Sequence, residues 1–201
     1  MKVLCITSDG YRHLVAGFAE AFNLHWPGMQ RVDVLCYAPP EEELPENFHV
    51  HSLGQQELFA GSWTDGLRPY VERMTDERFV LFLEDYWLDS TVDLARVRMM
   101  DNTMRSLPEV AKCDLTDDRS KFPNTKAGAY IISSQAARYR TSLQAAIWRR
   151  EYFLRFLKPH WTAWDFEIQG EKLAMNDKAT ICGTSDGIVH YRNVMLKGVV
   201  R

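Results

Sequence analysis

The chain opens with a strand-like run, Lys2 to Thr7, that breaks at Ser8-Asp9-Gly10 and passes into a helical stripe. This order constrains the fold more than any other feature. In the stripe, Leu14, Phe18, Phe22 and Trp26 recur at every fourth position with Val15 and Ala19 beside them, so one helix face is apolar and must pack on a sheet. Pro27-Gly28 stops the helix. Val32 to Tyr37 reads as a second strand, a Pro/Glu-rich loop runs from Pro39 to Glu46, and Phe48 to Leu53 reads as a third strand. Strand, helix and strand at such short spacing predict an α/β fold with a mostly parallel central sheet flanked by helices. In such sheets the crossovers are right-handed and ligands collect at the carboxyl ends of the strands.

The remainder continues the pattern. Asp65 to Thr75 reads as a helix, Arg78 to Leu83 as a central strand apolar on both faces, and Thr91 to Ser106 as a helix. Ala127 to Ser133 and Ser142 to Trp148 read as strands, Arg149 to Leu157 as a helix, and the polar stretch from Thr116 to Thr125 as a mobile loop. There is no internal repeat. A chain of 201 residues fits one domain. It buries roughly 70% of the surface exposed by the unfolded chain, so its core needs no disulfide or structural metal. Cys5, Cys36, Cys113 and Cys182 lie far apart without a CxxC pair and read as buried free thiols.

With 46% hydrophobic and 25% charged residues, the composition excludes a disordered, fibrous or membrane-spanning chain. The longest apolar run, Phe79 to Leu83, falls far short of the roughly 20 residues of a membrane span. The run Val3 to Ile6 is too short for a secretory segment, so a cytoplasmic location is expected. The net charge of -3 argues against a non-specific nucleic-acid binder. That mean hides an asymmetry: residues 1–100 carry 8 Lys/Arg against 16 Asp/Glu, and residues 101–201 carry 16 against 11. The second half could therefore face an anionic partner, although cations that form no single run also suit an ordinary solvated surface.

The stretch richest in chemistry runs from Phe79 to Asp89, where an apolar strand interior ends abruptly in Glu84-Asp85-Tyr86-Trp87-Leu88-Asp89. Two like charges about 4 Å apart repel by roughly 4 kcal/mol at an effective dielectric of 20, so paired carboxylates at a buried strand end need a cation, a basic partner or a proton. Side chains alternate along a strand, so Glu84 and Asp85 converge only if the strand bends there. The plainer alternative is a solvated strand terminus.

This acidic strand end resembles the acidic motif of a group of bacterial and phage glycosyltransferases of the GT-A type. Two further segments are similar to the same group: Ser142 to Glu151, which resembles its strand and helix after the acidic motif, and Trp164-Asp165-Phe166-Glu167, which resembles its Trp-(Asp/Glu)-Phe-Glu block. Val189-His190-Tyr191-Arg192-Asn193-Val194 with Lys197-Gly198 resembles its closing strand. The resemblance implies a GT-A-like domain over residues 1–201, with a nucleotide-sugar-binding half (1–100) and an acceptor-binding half (101–201). It also implies an acidic motif that meets the donor's diphosphate through Mn2+ or Mg2+. One departure is that this chain carries Glu84-Asp85-Tyr86 and no Asp-x-Asp.

Under that resemblance Asp85 is the first candidate for metal or diphosphate positioning, with Glu84 and Asp89 as supports. His190 is a candidate third ligand, against a packed structural role. Lys197 and Arg192 are candidate diphosphate cations, against plain surface charge. Asp165 and Glu167 compete as the base that takes the acceptor's proton; they share one face if the segment is extended and lie apart around a helix. Trp161 and Trp164 offer flat faces for the acceptor sugar, or pack on the core. Thr7, Ser8, Asp9 and Tyr11 line the first strand's end, where Tyr11 or Arg12 would stack on a base. Asp9 would accept from base or ribose, or cap the following helix. His49 and His51 share a strand face without a third ligand and read as structural.

The acceptor expected is a glycan, a lipid-linked glycan or a modified phage DNA base. A sugar nucleotidyltransferase competes, but would want a Gly-rich basic loop after the first strand, and Ser8 to Arg12 holds one Gly. A carbohydrate- or nucleotide-binding module without chemistry is the non-enzymatic alternative.

Overall fold

In a computed structural model that describes residues 1–59, 61–196 and 199–200, with the side chains of 196, 199 and 200 left aside, thirteen strands and five helices follow one another along the chain. They are β1 (Lys2–Ile6), α1 (Val15–His25), β2 (Val32–Cys36), β3 (Phe48–Ser52), α2 (Thr64–Arg73), β4 (Arg78–Leu83), β5 (Tyr86–Leu88) and α3 (Leu94–Ser106), then β6 (Val110–Asp114), β7 (Asn124–Ala127) and β8 (Tyr130–Ser133). The chain continues through β9 (Ala146–Arg149), α4 (Arg150–Leu154), α5 (Ala163–Ala174), β10 (Thr180–Gly183), β11 (Tyr191–Asn193), β12 (Met195–Leu196) and β13 (Val199–Val200).

Nine of the strands form one sheet in the order β3-β2-β1-β4-β9-β6-β10-β8-β7. The first four are mutually parallel, as the spacing of the N-terminal run predicts. β9 then runs antiparallel to both β4 and β6, β10 runs parallel to β6, and β8 and β7 complete the sheet antiparallel. The sheet is thus mixed, with a parallel core.

Each face carries its own helices. On one, Val15, Phe18 and Phe22 of α1 and Val97, Met100 and Met104 of α3 pack on Val3, Cys5, Val34, Val80 and Phe82. On the other, Leu67 and Val71 of α2, Phe153 of α4 and Phe166 of α5 pack on Leu4, Ile6, Leu35, Phe79, Leu81 and Trp148. β1 and β4 feed both layers with alternate residues, which is why they are apolar throughout.

From β1 the chain steps outward through β2 and β3, then returns past β1 to lay down β4 on its other side. Strand order reverses at the β1–β4 boundary, and in open α/β sheets that reversal opens a crevice beyond the two carboxyl ends. Thr7 follows one end and Glu84 the other.

Several expected elements differ. Thr116 to Thr125 is not a bare loop: it contains a 3-10 turn, Asp118–Lys121, whose Arg119 is buried, and it leads into β7. Ala127 to Ser133 is not one strand, because Gly128, at φ 63°, begins a two-residue turn that folds it into the β7–β8 hairpin. The helix expected to follow Gly10 directly starts with a 3-10 turn, Arg12–Leu14, before α1.

Candidate functional site

At the end of β4 the chain reverses through Glu84 and Asp85 into β5, and three contacts fix that turn. The Trp87 Nε1–H donates to the Glu84 carbonyl at 3.2 Å, the Val194 N–H donates to the Asp85 carbonyl at 3.0 Å, and β5 pairs antiparallel with β11. The Trp87 ring lies where any side chain at position 17 of α1 would stand, so Gly17 is what lets the turn seat on that helix.

The result is a pair of poorly compensated acids. Glu84 is 6% exposed; burial, with the Asp85 charge adding to it, pushes its carboxyl up to about 8. Burial pushes Asp85 up to about 6. Among the described residues no Lys, Arg or His forms an ion pair with either. A carboxylate pair that takes up protons for want of a counter-charge fits a divalent cation, because Mg2+-type ions take one or two carboxylates and fill the remaining positions with water and phosphate oxygens. Among the described residues, no three His, Cys, Asp or Glu side chains form a group that could hold a metal alone. Asp89 and His190 are not brought to the pair: the Asp89 N–H donates to the His190 carbonyl at 3.2 Å, at the end of the β5–β11 ladder away from Asp85 and Val194.

Beside the acids, Tyr86 of β5 and Tyr191 of β11 stack at 4.4 Å. Burial pushes both phenols up, and the carboxylates around them push further: Asp85, Glu167 and Glu84 on Tyr86, and Asp118, Asp85, Asp114 and Glu167 on Tyr191. Acids that follow β4 and others on β6, α5 and the 3-10 turn thus all act on this stacked pair. Tyr191 also donates to Gln144, just before β9.

Glu167 and Asp165 part company because their segment is helical. Two residues on a helix are about 200° apart. Asp165 closes a capping box, accepting from the Thr162 N–H at 3.1 Å and the Thr162 hydroxyl at 2.7 Å, and those bonds hold its carboxyl below the usual range. Glu167 turns inward, where its Oε1 accepts the Leu143 N–H at 2.6 Å. Burial raises its pKa, opposed by that N–H, the Lys112 charge and the Ser142 hydroxyl.

The donor-side residues lie at the other lip of the crevice. The buried Thr7 N–H donates to the Leu35 carbonyl at 3.0 Å, and the Ser8 carbonyl accepts the Tyr11 N–H. Asp9 caps no helix: its Oδ1 accepts the Ala38 N–H at 2.8 Å while its own N–H donates to the Gln56 side chain at 2.8 Å, tying together the segments after β1, β2 and β3. Tyr11 is 38% exposed, and the Arg12 Nε–H bonds Glu41 at 3.2 Å. Arg192 is exposed with its guanidinium 5.9 Å from the Trp87 ring centre. Lys197 lies outside the described residues. The Trp161 carbonyl accepts the Trp63 and Thr64 N–H groups at the start of α2, and Trp164 is 71% exposed at the start of α5. His51 pairs with Asp33 at 3.2 Å, in keeping with a structural role.

Sequence reasoning missed Asp114, Asp118 and Gln144. The signal was present: Val110 to Asp118 repeats the β4 pattern of a short strand running into acids, but Lys112 in its middle disguised the strand. Two open grooves lie away from this edge: one of about 760 Å³ beside Met99 and Tyr130, and one of about 520 Å³ beside Lys2 and Tyr70.

Comparison with solved structures decides the fold. Over 96% of this chain, S. aureus TarS 1-349 superposes with a TM-score of 0.59 at 11% identity. At that identity the likeness shows the fold alone. LgtC in complex with donor and acceptor sugar analogs matches 91% of the chain, and 73% of its own, with a TM-score of 0.51 at 13% identity. CMP:2-keto-3-deoxy-manno-octonic acid synthetase complexed with CTP matches 96% of the chain and 92% of its own, with a TM-score of 0.53 at 12% identity. The α/β, GT-A-like architecture is therefore shared with glycosyltransferases and with sugar nucleotidyltransferases. The chain spans 61% of TarS 1-349, and 37% of the longer TarS structure. No family model and no curated protein matches it. No helix among the described residues is long and apolar enough to cross a membrane.

Proposed function

We propose that the chain is a metal-assisted glycosyltransferase that moves a sugar from a nucleotide-sugar donor to an acceptor hydroxyl. The observation that carries this reading is the Glu84-Asp85 turn just beyond β4, at the sheet's reversal point, where a buried and a half-buried carboxylate form no ion pair with any described Lys, Arg or His.

Each residue has a part in that reading. Thr7, Ser8, Asp9, Tyr11 and Arg12 border the nucleoside, and Arg192 and Lys197 contribute positive charge toward the diphosphate. Asp85, supported by Glu84, would hold Mn2+ or Mg2+, and such an ion would supply positive charge against the leaving diphosphate. Glu167 accepts the proton from the acceptor hydroxyl as that oxygen bonds to the anomeric carbon. The bond from that carbon to the donor phosphate breaks, and its electron pair leaves with the nucleoside diphosphate. Trp161 and Trp164 offer faces to an acceptor glycan, free or lipid-linked. A modified DNA base is the other acceptor, and DNA binding that weakens steeply with salt would distinguish it.

The test is nucleotide release from a panel of sugar nucleotides, with and without Mn2+, in wild type and Asp85→Ala. The reading expects Mn2+-stimulated release of a nucleoside diphosphate that the variant loses; full turnover by Asp85→Ala removes it. The likeness to the CTP-bound synthetase supports a second reading, sugar nucleotidyl transfer. Pyrophosphate release from a nucleoside triphosphate and a free sugar would identify it. Nucleotide binding without turnover, indifferent to divalent ions, would identify a binding module.

A further inference from the structure

Behind Glu167 lies a chain of buried charges that the proposed transfer does not use. Lys112, Asp114 and Arg119 are each no more than 1% exposed. The Lys112 Nζ is 2.8 Å from the Asp114 Oδ1, and the Arg119 Nε is 2.6 Å from the Asp114 Oδ2. Arg119 is held in turn by the Tyr139 carbonyl at 2.8 Å and the Arg138 carbonyl at 3.3 Å. Burial of this depth is costly for charges unless every partner is in place.

The Lys112 Nζ makes one further bond, donating to the Ser142 carbonyl at 2.7 Å. That carbonyl belongs to the same peptide unit as the Leu143 N–H, which donates to the Glu167 Oε1 at 2.6 Å. A trans peptide points its C=O and N–H in opposite directions, so Lys112 and Glu167 grip one peptide from its two sides. A cation on the carbonyl polarises the peptide and strengthens the bond its N–H donates. We infer that Lys112 is a positioning residue that acts through the 142–143 peptide to orient the Glu167 carboxylate and keep it ionised as an acceptor of the substrate proton. The inference rests on the reading of Glu167 as the acceptor base.

The other groups around Glu167 are consistent with a need for such support. The Glu167 and Asp85 charges both act on Tyr86 of β5 and Tyr191 of β11, and Asp118 of the 3-10 turn opposes a charged Glu167. Glu171, one turn along α5, is occupied with the Tyr139 N–H at 2.6 Å and Arg138 at 3.9 Å. Lys112 is the cation turned toward Glu167. Burial pulls its own pKa down and Asp114 opposes that pull, which gives Asp114 the task of keeping it charged.

The test reads the carboxyl directly, without donor or acceptor. In protein labelled at the Glu side-chain carboxyl carbon, the Glu167 resonance is assigned by its loss in Glu167→Gln and titrated by NMR in wild type and Lys112→Met. The inference expects Lys112→Met to raise the proton affinity of Glu167 about tenfold or more. An unchanged midpoint in a folded variant overturns it. Should Lys112→Met fail to fold, the Nζ of labelled lysine in wild type decides: charged at pH 7 supports the inference and neutral overturns it. The acid limb of the pH–rate profile keeps the two proposals separable. If the carboxyl titration moves in Lys112→Met and the rate profile does not, the relay stands and Glu167 is not the base.

Discussion

Two buried carboxylates, one on β2 and one just beyond β4, meet opposite fates. Asp33 on β2 is 1% exposed, yet Lys2 at 3.0 Å, Arg31 at 2.9 Å, His51 at 3.2 Å and the Tyr70 hydroxyl at 3.0 Å surround it. Burial opposes its ionisation, and the bonds from Arg31, Lys2 and His51 more than compensate, holding it down at about 2. Glu84, just beyond β4, is buried nearly as well, has no such partners, and is pushed up to about 8. The same desolvation thus produces a stabilising charge in one place and a strained one in the other. Uncompensated acids persist in folded proteins mainly where a ligand relieves them, which is why the end of β4, and not the Asp33 cluster, is read as the working site.

That contrast is open to attack at several points. The largest effect is expected at the site: Glu167→Gln should keep donor binding while transfer falls about 10²- to 10⁴-fold, the usual contribution of a general base. Unchanged transfer would remove Glu167 from that role and return attention to Asp165. Next in size is Asp33→Asn, which strands the cations gathered around Asp33 and should lower unfolding stability by about 2–3 kcal/mol in urea while leaving turnover intact.

The pH dependence of ligand-free stability should have two limbs of opposite sign. Asp33 binds its proton more weakly in the folded state, so its contribution is present above the unfolded carboxylate range near pH 4 and is lost as pH falls toward 2. Glu84 binds its proton more tightly in the folded state, so stability falls as pH rises from about 4.5 through about 8. Denaturant midpoints against pH should show Asp33→Asn erasing the first limb and Glu84→Gln removing the part of the second above about pH 6, the part below it being shared with Asp85. A fall above about pH 6 that survives in Glu84→Gln would place the strain elsewhere. The smallest effect is expected from Trp164→Ala: exposed at the rim, it should raise the acceptor KM several-fold with little change in kcat or in stability.

How much of this was legible in the sequence depends on whether neighbours along the chain were enough. β1, β2 and β4 could be read because their apolar runs are buried on both faces, and α1 because it buries a periodic stripe, whereas the reversal of strand order between β1 and β4 is a tertiary fact that no local pattern shows. β6 could not, because Lys112 and Asp114 break the apolar pattern and are buried only by satisfying each other and Arg119, partners that no local window shows. For the same reason no local pattern separates Asp118 from the polar stretch around it. The choice between Asp165 and Glu167 could not be made until α5 was known to be a helix, since one register sends them to the same face and the other sends Asp165 into a cap. Asp9 has the composition of a helix cap, but its carboxylate was claimed by the Ala38 N–H on a different loop. Local chemistry singled out the acids after β4 and on α5, and tertiary contacts set what surrounds each of them.

The most direct measurement is the thermal unfolding midpoint of wild type and Asp85→Ala with Mn2+ alone, with uridine, cytidine or guanosine diphosphate alone, and with each pair. If the β4 acids await a cation carried with a diphosphate, one pair should raise the wild-type midpoint by more than its components together, and Asp85→Ala should lose that excess. An equal rise in Asp85→Ala, or no excess with any nucleotide, would contradict the account.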